Sequence, residues 1–172
     1  DRVDRVKGNV DHRVIEKLFT GNTDDIQARI QKNYDAVLHD AIEACGAILL
    51  LRENLIELKS FQLQLRENID VLLDILRKNN LEVVATEHEL TLNVGLLDGE
   101  TNDTPVNGFV DMILKRADGD MVVFDFKWTS NKDKYKKQLE ENASIQLALY
   151  EELVRHATEQ PVAATADYVM PY

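Results

Sequence analysis

Among 172 residues there is one cysteine and three prolines, and no apolar run approaches the roughly 20 residues that a helix needs to cross a bilayer. Each shortage closes a class of explanation. Cys45 alone cannot form an internal disulfide or a cysteine-only metal site, and such sparing use of cysteine fits a reducing compartment. The N-terminal residues lack the basic, apolar and small-residue order of a signal peptide, so a soluble, cytoplasmic chain with no membrane contact is expected. Asp1 stands where a methionine would, as in a piece cut from something larger. Basic charge is scarce too. With 20 Lys and Arg against 31 Asp and Glu, the formal net charge of −11 opposes binding to a polyanion. The length suits one domain, 1–172, with a proper core.

Proline is absent from Thr23 to Asn80, where apolar residues recur at helical intervals: Ile26, Ile30, Val37, Leu38 and Ile42, then Leu58, Phe61, Leu65, Ile69, Leu72 and Leu76. Two or three packed helices are expected, starting at Thr23-Asp24-Asp25, with Gly46 as a break and Asn79-Asn80 as the stop. An earlier helix spans Val3 to Phe19, and Thr20-Gly21-Asn22 ends it; His12 and Glu16, four apart, share one of its faces. Glu82 to Val94 alternates as a strand from Thr86 onward, with Glu87 and Glu89 on one face. No spacing ties Glu87 to Asp111, Asp125 and Lys127 further on. Gly95 to Pro105 reads as a polar loop and the most flexible segment. Tyr135 to Thr158 is expected to be a helix, and Val162 to Met170 the last strand.

Val106 to Thr129 carries the densest pattern. Phe109 to Lys115 and Met121 to Phe126 are rich in the branched and aromatic residues of strands, and Ala117-Asp118-Gly119 lies between them as a turn. A three-residue loop with Gly119 in the left-handed position pairs Arg116 with Asp120. That register sets Leu114 against Val122, Met112 against Phe124 and Asp111 against Asp125, and the two-residue period brings Lys127 to the same face as the acids. One hairpin face is wholly apolar and must be covered. The other is apolar at Ile113 and Val123 and ends in charge.

Two carboxylates held together repel unless something positive lies between them. A divalent cation answers this, and hard oxygen ligands suit magnesium. A lysine beside it can hold a water or steady charge developing on phosphorus. From these three residues alone, a hairpin ending in solvated charge fits as well. Downstream, Lys132, Lys134, Lys136 and Lys137 face Asp133 alone, a basic rim able to receive phosphates on an otherwise acidic body.

The order Asp111, then Asp125-Phe126-Lys127, resembles the D...(D/E)xK signature of the PD-(D/E)XK nuclease superfamily. Three further marks are similar to its RecB-type, AddB-like branch, the nuclease domains of bacterial helicase-nucleases. Gly8-Asn9-Val10-Asp11-His12 with Glu16 resembles an early G...H...E helix, Gly108-Phe109-Val110-Asp111 a G-x-x-D strand, and Gln146 to Tyr150 a Q-x-x-x-Y helix. Met112 departs from the Arg that often follows the first aspartate, and one cysteine cannot build the iron-sulfur cluster of some branches. The resemblance implies a restriction-endonuclease-like α/β fold, αβββαβ, with a mixed sheet, a core of 1–22 and 81–172, and a helical insert over about 23–80.

It also implies a site. His12, Asp111, Asp125 and the Phe126 carbonyl would hold Mg2+, with Mn2+ able to substitute, and Asp111, Asp125 and Lys127 would be catalytic. Gln146, Tyr150 and the lysines at 132, 134, 136 and 137 would touch DNA. The activity implied is hydrolysis of DNA phosphodiester bonds, in exonucleolytic end processing for repair or recombination beside a helicase domain or subunit. A catalytically inactive nuclease-fold domain that binds DNA or a protein is the alternative.

Overall fold

The computed structural model describes residues 2–94, 104–129 and 162–171; at 88, 90–94, 104–108, 127–129 and 162–171 it describes the backbone. Helix α1 (Arg2–Leu18) buries Val10, Val14, Ile15 and Leu18, the stripe that its sequence spacing requires. The Arg29 guanidinium closes its C-terminal end, donating to the carbonyls of Leu18 at 2.7 Å and Thr20 at 3.1 Å. Gly21 then turns the chain with φ +87°, and its N–H and C=O exchange hydrogen bonds with Val83 at 2.8 and 2.9 Å. This bridge fixes the end of α1 to the start of the first strand.

Helix α2 (Thr23–Cys45) starts one residue earlier in its capping than expected: Asn22, rather than Thr23, accepts from the N–H groups of Asp24 and Asp25. The two aspartates occupy the first turn, where the helix dipole favours them. Gly46 ends α2, as its position predicted. Two short 3-10 turns, Ala47–Leu50 and Arg52–Asn54, lead into α3 (Leu55–Lys78), and Lys7 reaches Glu57 at 2.7 Å to tie α1 to α3. Leu18, Phe61, Leu65, Leu72 and Leu76 are fully buried between these helices. Truncating any one to alanine would cost about 2–5 kcal/mol.

The four strands, β1 (Glu82–Val94), β2 (Thr104–Lys115), β3 (Met121–Thr129) and β4 (Val162–Pro171), form one sheet in that order. The first three are antiparallel and β4 lies parallel to β3, so the sheet is mixed. A parallel neighbour needs a crossover of a dozen residues or more. Residues 130–161 join β3 to β4 in sequence, and the helix expected over Tyr135 to Thr158 lies among them, outside the described residues.

One boundary is corrected. β2 starts at Thr104, not Phe109, because β1 extends its pairing to Asn93 opposite Pro105 and Val94 opposite Thr104. Pro105 is thus a strand residue near the hairpin's end, not part of a loop. Met112, Leu114, Val122, Phe124 and Phe126 join the helical core, which covers the hairpin face that had to be covered. Ile113, Met121 and Val123 on the other face are buried as well. The architecture is a helix-rich α/β fold of restriction-endonuclease-like type.

Candidate metal centre

The site begins with a turn. Arg116 donates to Asp120 at 2.8 Å across the three-residue loop, and Gly119 takes φ +99°, the conformation that a side chain would strain. Lys115 then faces Met121, Leu114 faces Val122, Ile113 faces Val123 and Met112 faces Phe124. The ladder stops there. Past it, the Phe126 N–H donates across the gap to Asp111 Oδ2 at 2.5 Å, so the carboxylate takes the place of a backbone acceptor.

Asp111 and Asp125 meet, as the register requires. Asp125 is 5% exposed, and a hydrogen bond joins it to Asp111. Burial, reinforced by that hydrogen bond and by the Asp125 charge, pushes the Asp111 carboxyl up to about 7, against the pull of His12 and the Phe126 N–H. A carboxyl held this close to a second carboxylate resists ionising.

The third acid comes from β1. Thr86 pairs with Met112 and His88 with Val110, which leaves Glu87 across from Asp111. Glu87 adopts φ +47°, a left-handed backbone costing about 1–3 kcal/mol in a residue with a Cβ. Its carboxylate meets α1: Glu87 Oε1 lies 2.5 Å from His12 Nδ1, and Asp111 Oδ1 lies 3.6 Å from the same nitrogen. Burial works against protonation of His12. The hydrogen bond to Glu87 and the charges of Asp111, Glu87 and Asp125 outweigh it and raise the imidazole above its ordinary value. The Phe126 ring packs edge-on against His12, with centroids 6.2 Å apart and planes at 84°.

His12, Glu87 and Asp111 each offer a ligand atom within 4.8 Å of the others. Oxygen ligands lie about 2.0–2.6 Å from a magnesium or calcium ion, so atoms this close fit one coordination shell. An imidazole with two carboxylates is a donor set for a divalent cation. Asp125 is bonded to Asp111 but is not one of this group of three. Phe126 enters through its N–H and its ring, and Lys127 continues β3 with its backbone opposite Val169. The Lys127 side chain lies outside the described part, as do Gln146, Tyr150, Lys132, Lys134, Lys136 and Lys137.

Glu87 is the residue that sequence reasoning missed. Its signal was the register between β1 and β2, which a long connection does not fix. Beside the acids, a cleft of about 470 Å³ is lined by Asn9, His12, Arg13, Glu16, Cys45 and Glu87. His12 and Glu16 of the G...H...E helix thus face this opening.

Among the described residues no helix is long and apolar enough to cross a membrane. No curated protein matches the chain. The family model of the PD-(D/E)XK nuclease superfamily matches residues 1–171, the whole span that carries the acidic hairpin, the histidine helix and the final strand. The chain belongs to the PD-(D/E)XK nuclease superfamily.

Proposed function

We propose that this chain is a metal-dependent deoxyribonuclease domain of the RecB type, acting on DNA ends in repair or recombination beside a helicase. The observation that carries the reading is the convergence of His12, Glu87 and Asp111 within 4.8 Å, with Asp125 bonded to Asp111. Its protein frame is one domain with the α2–α3 insert set into the nuclease core.

Magnesium, or manganese in its place, would be held by His12, Asp111, Asp125 and the Phe126 carbonyl, with Glu87 as a further carboxylate. A cation so bound neutralises a phosphodiester and lowers the pKa of a water. The side chains do the rest. The Phe126 N–H fixes the Asp111 carboxylate, and Glu87 and Asp111 hold the His12 ring from its Nδ1 side. Lys127 orients the attacking water and meets the negative charge that grows on the phosphoryl oxygens. Gln146, Tyr150 and the lysines from 132 to 137 contact the strand.

Linear and circular DNA, single- and double-stranded, each incubated with magnesium, manganese or EDTA, test the reading. Cleavage with either metal and none with EDTA is the expected result. Loss of linear DNA alone marks an exonuclease. Binding without cleavage under every condition would make the domain a binding module instead.

A further inference from the structure

One face of α1 lines the cleft: Asn9, His12, Arg13 and Glu16 stand at the three- and four-residue spacings that stack side chains on a helix. These positions span about 10 Å along the helix axis, at 1.5 Å per residue. Duplex DNA advances about 3.4 Å per nucleotide on each strand, so this face is roughly three nucleotides long. Of the groups on it, His12 is engaged by Glu87 and Asp111. Arg13 is different. It is exposed, and it makes no hydrogen bond or ion pair among the described residues.

The other charged side chains on the cleft wall are the acids Glu16 and Glu87, and an Asp111 oxygen lies within 4.8 Å of Glu87's. Such a wall suits a cation and repels every other phosphate of a strand. Arg13 is the one Lys or Arg side chain among the described residues that line the cleft, while Lys7 on the same helix is bound to Glu57 and Arg29 to the carbonyls at the end of α1. An unengaged guanidinium next in sequence to a candidate ligand can therefore offset that repulsion, and its planar fork matches a phosphate.

We infer that Arg13 is a substrate-binding residue that holds the DNA phosphate neighbouring the one at the metal centre, so that the strand lies along the Asn9–Glu16 face of α1. The inference rests on the nuclease reading above. A contact of this kind positions the backbone without reading sequence.

The test compares wild type, Arg13→Gln, Arg13→Lys and Lys59→Gln, the last an exposed cation on α3 that does not line the cleft. Steady-state cleavage of an oligonucleotide with manganese is measured across a range of salt, and manganese affinity by calorimetry. For Arg13→Gln, KM should rise about tenfold with kcat within about twofold, and the salt dependence of KM should flatten by about 0.7–0.9 in log–log slope, the worth of one phosphate. Manganese affinity should not change, and Arg13→Lys should recover part of the loss. If Arg13→Gln matches wild type, or if Lys59→Gln raises KM equally, the inference is overturned while the nuclease reading stands. If wild type neither binds nor cleaves DNA, both fall.

Discussion

His12 and Glu87, 75 positions apart in the chain, share a hydrogen bond of 2.5 Å between imidazole Nδ1 and carboxylate Oε1. The bond joins the first helix to the first strand at the point where the strand's backbone turns left-handed, and it places Glu87 among the candidate ligands.

Glu87→Gln should therefore lower the His12 pKa, because it removes an anionic acceptor that holds the ring protonated, and should weaken manganese binding by about 10- to 100-fold. Proton NMR of the imidazole and titration calorimetry check the two halves. An unchanged His12 pKa would remove Glu87 from the site.

The acids also set a pH dependence. Asp111 is raised to about 7, and Asp11 is raised well above its ordinary value by burial, with both carboxyl oxygens lacking a hydrogen-bond partner among the described residues. A carboxyl raised in the folded state contributes stability that is full below its unfolded pKa of about 3.9 and is lost as pH climbs through the folded value. A raised His12 acts in the same direction above about 6.5. In EDTA, urea midpoints should fall as pH rises from about 5 towards 8, and Asp111→Asn should flatten that fall. With manganese the slope should shrink or reverse, since the cation takes the deprotonated ligands, and its affinity should rise through about pH 7 with release of protons.

Asp125→Ala and Lys127→Ala should separate two roles. The aspartate variant should lose manganese affinity and cleavage together. The lysine variant should keep manganese affinity, because an ammonium has no lone pair to give. Its single-turnover cleavage should slow by about a hundred- to a thousandfold, as for loss of a group that meets transition-state charge. Near wild-type cleavage in Lys127→Ala would make it an ordinary strand residue.

How much of this was legible follows from which contacts are local. The loop Ala117 to Gly119 is short, so its length alone fixes the register that brings Asp111 to Asp125. Helices α2 and α3 were legible in their apolar spacing and in Gly46. Glu87 was not. Its partner strand lies beyond a connection whose length sets no register, and a bulge between Val83 and Ala85 shifts the pairing before Glu87 is reached. Its left-handed φ breaks the alternation by which faces are read. Pro105 misled for a related reason: it marks loops in general, but here it lies near the end of a paired strand.

Gly46 supports the site from a distance. A Cβ there would stand 2.8 Å from Val10 Cγ2 and 3.1 Å from the Ile42 Cα, and Val10 is two residues from His12. Gly46→Ala should cost about 1–3 kcal/mol by overpacking, read as a lower urea midpoint, and Val10→Ala in the same chain should return part of it. An unchanged midpoint would show that α1 can shift freely, which the short bridge at Gly21 argues against.

The His12–Glu87 bond has one more consequence, which concerns assembly. Asp111 and Asp125 come together on a tight hairpin, so their pairing costs little chain entropy, while the histidine must be brought back across helices α2 and α3. The donor set is complete only when both have formed. A cation that recognises all of it binds the native chain and finds just a fragment in the unfolded one. At a hundredfold excess over its Kd, such a ligand adds about 2.7 kcal/mol to the native state by mass action. The centre proposed for cutting DNA would then also be a clasp that holds the first helix to the sheet.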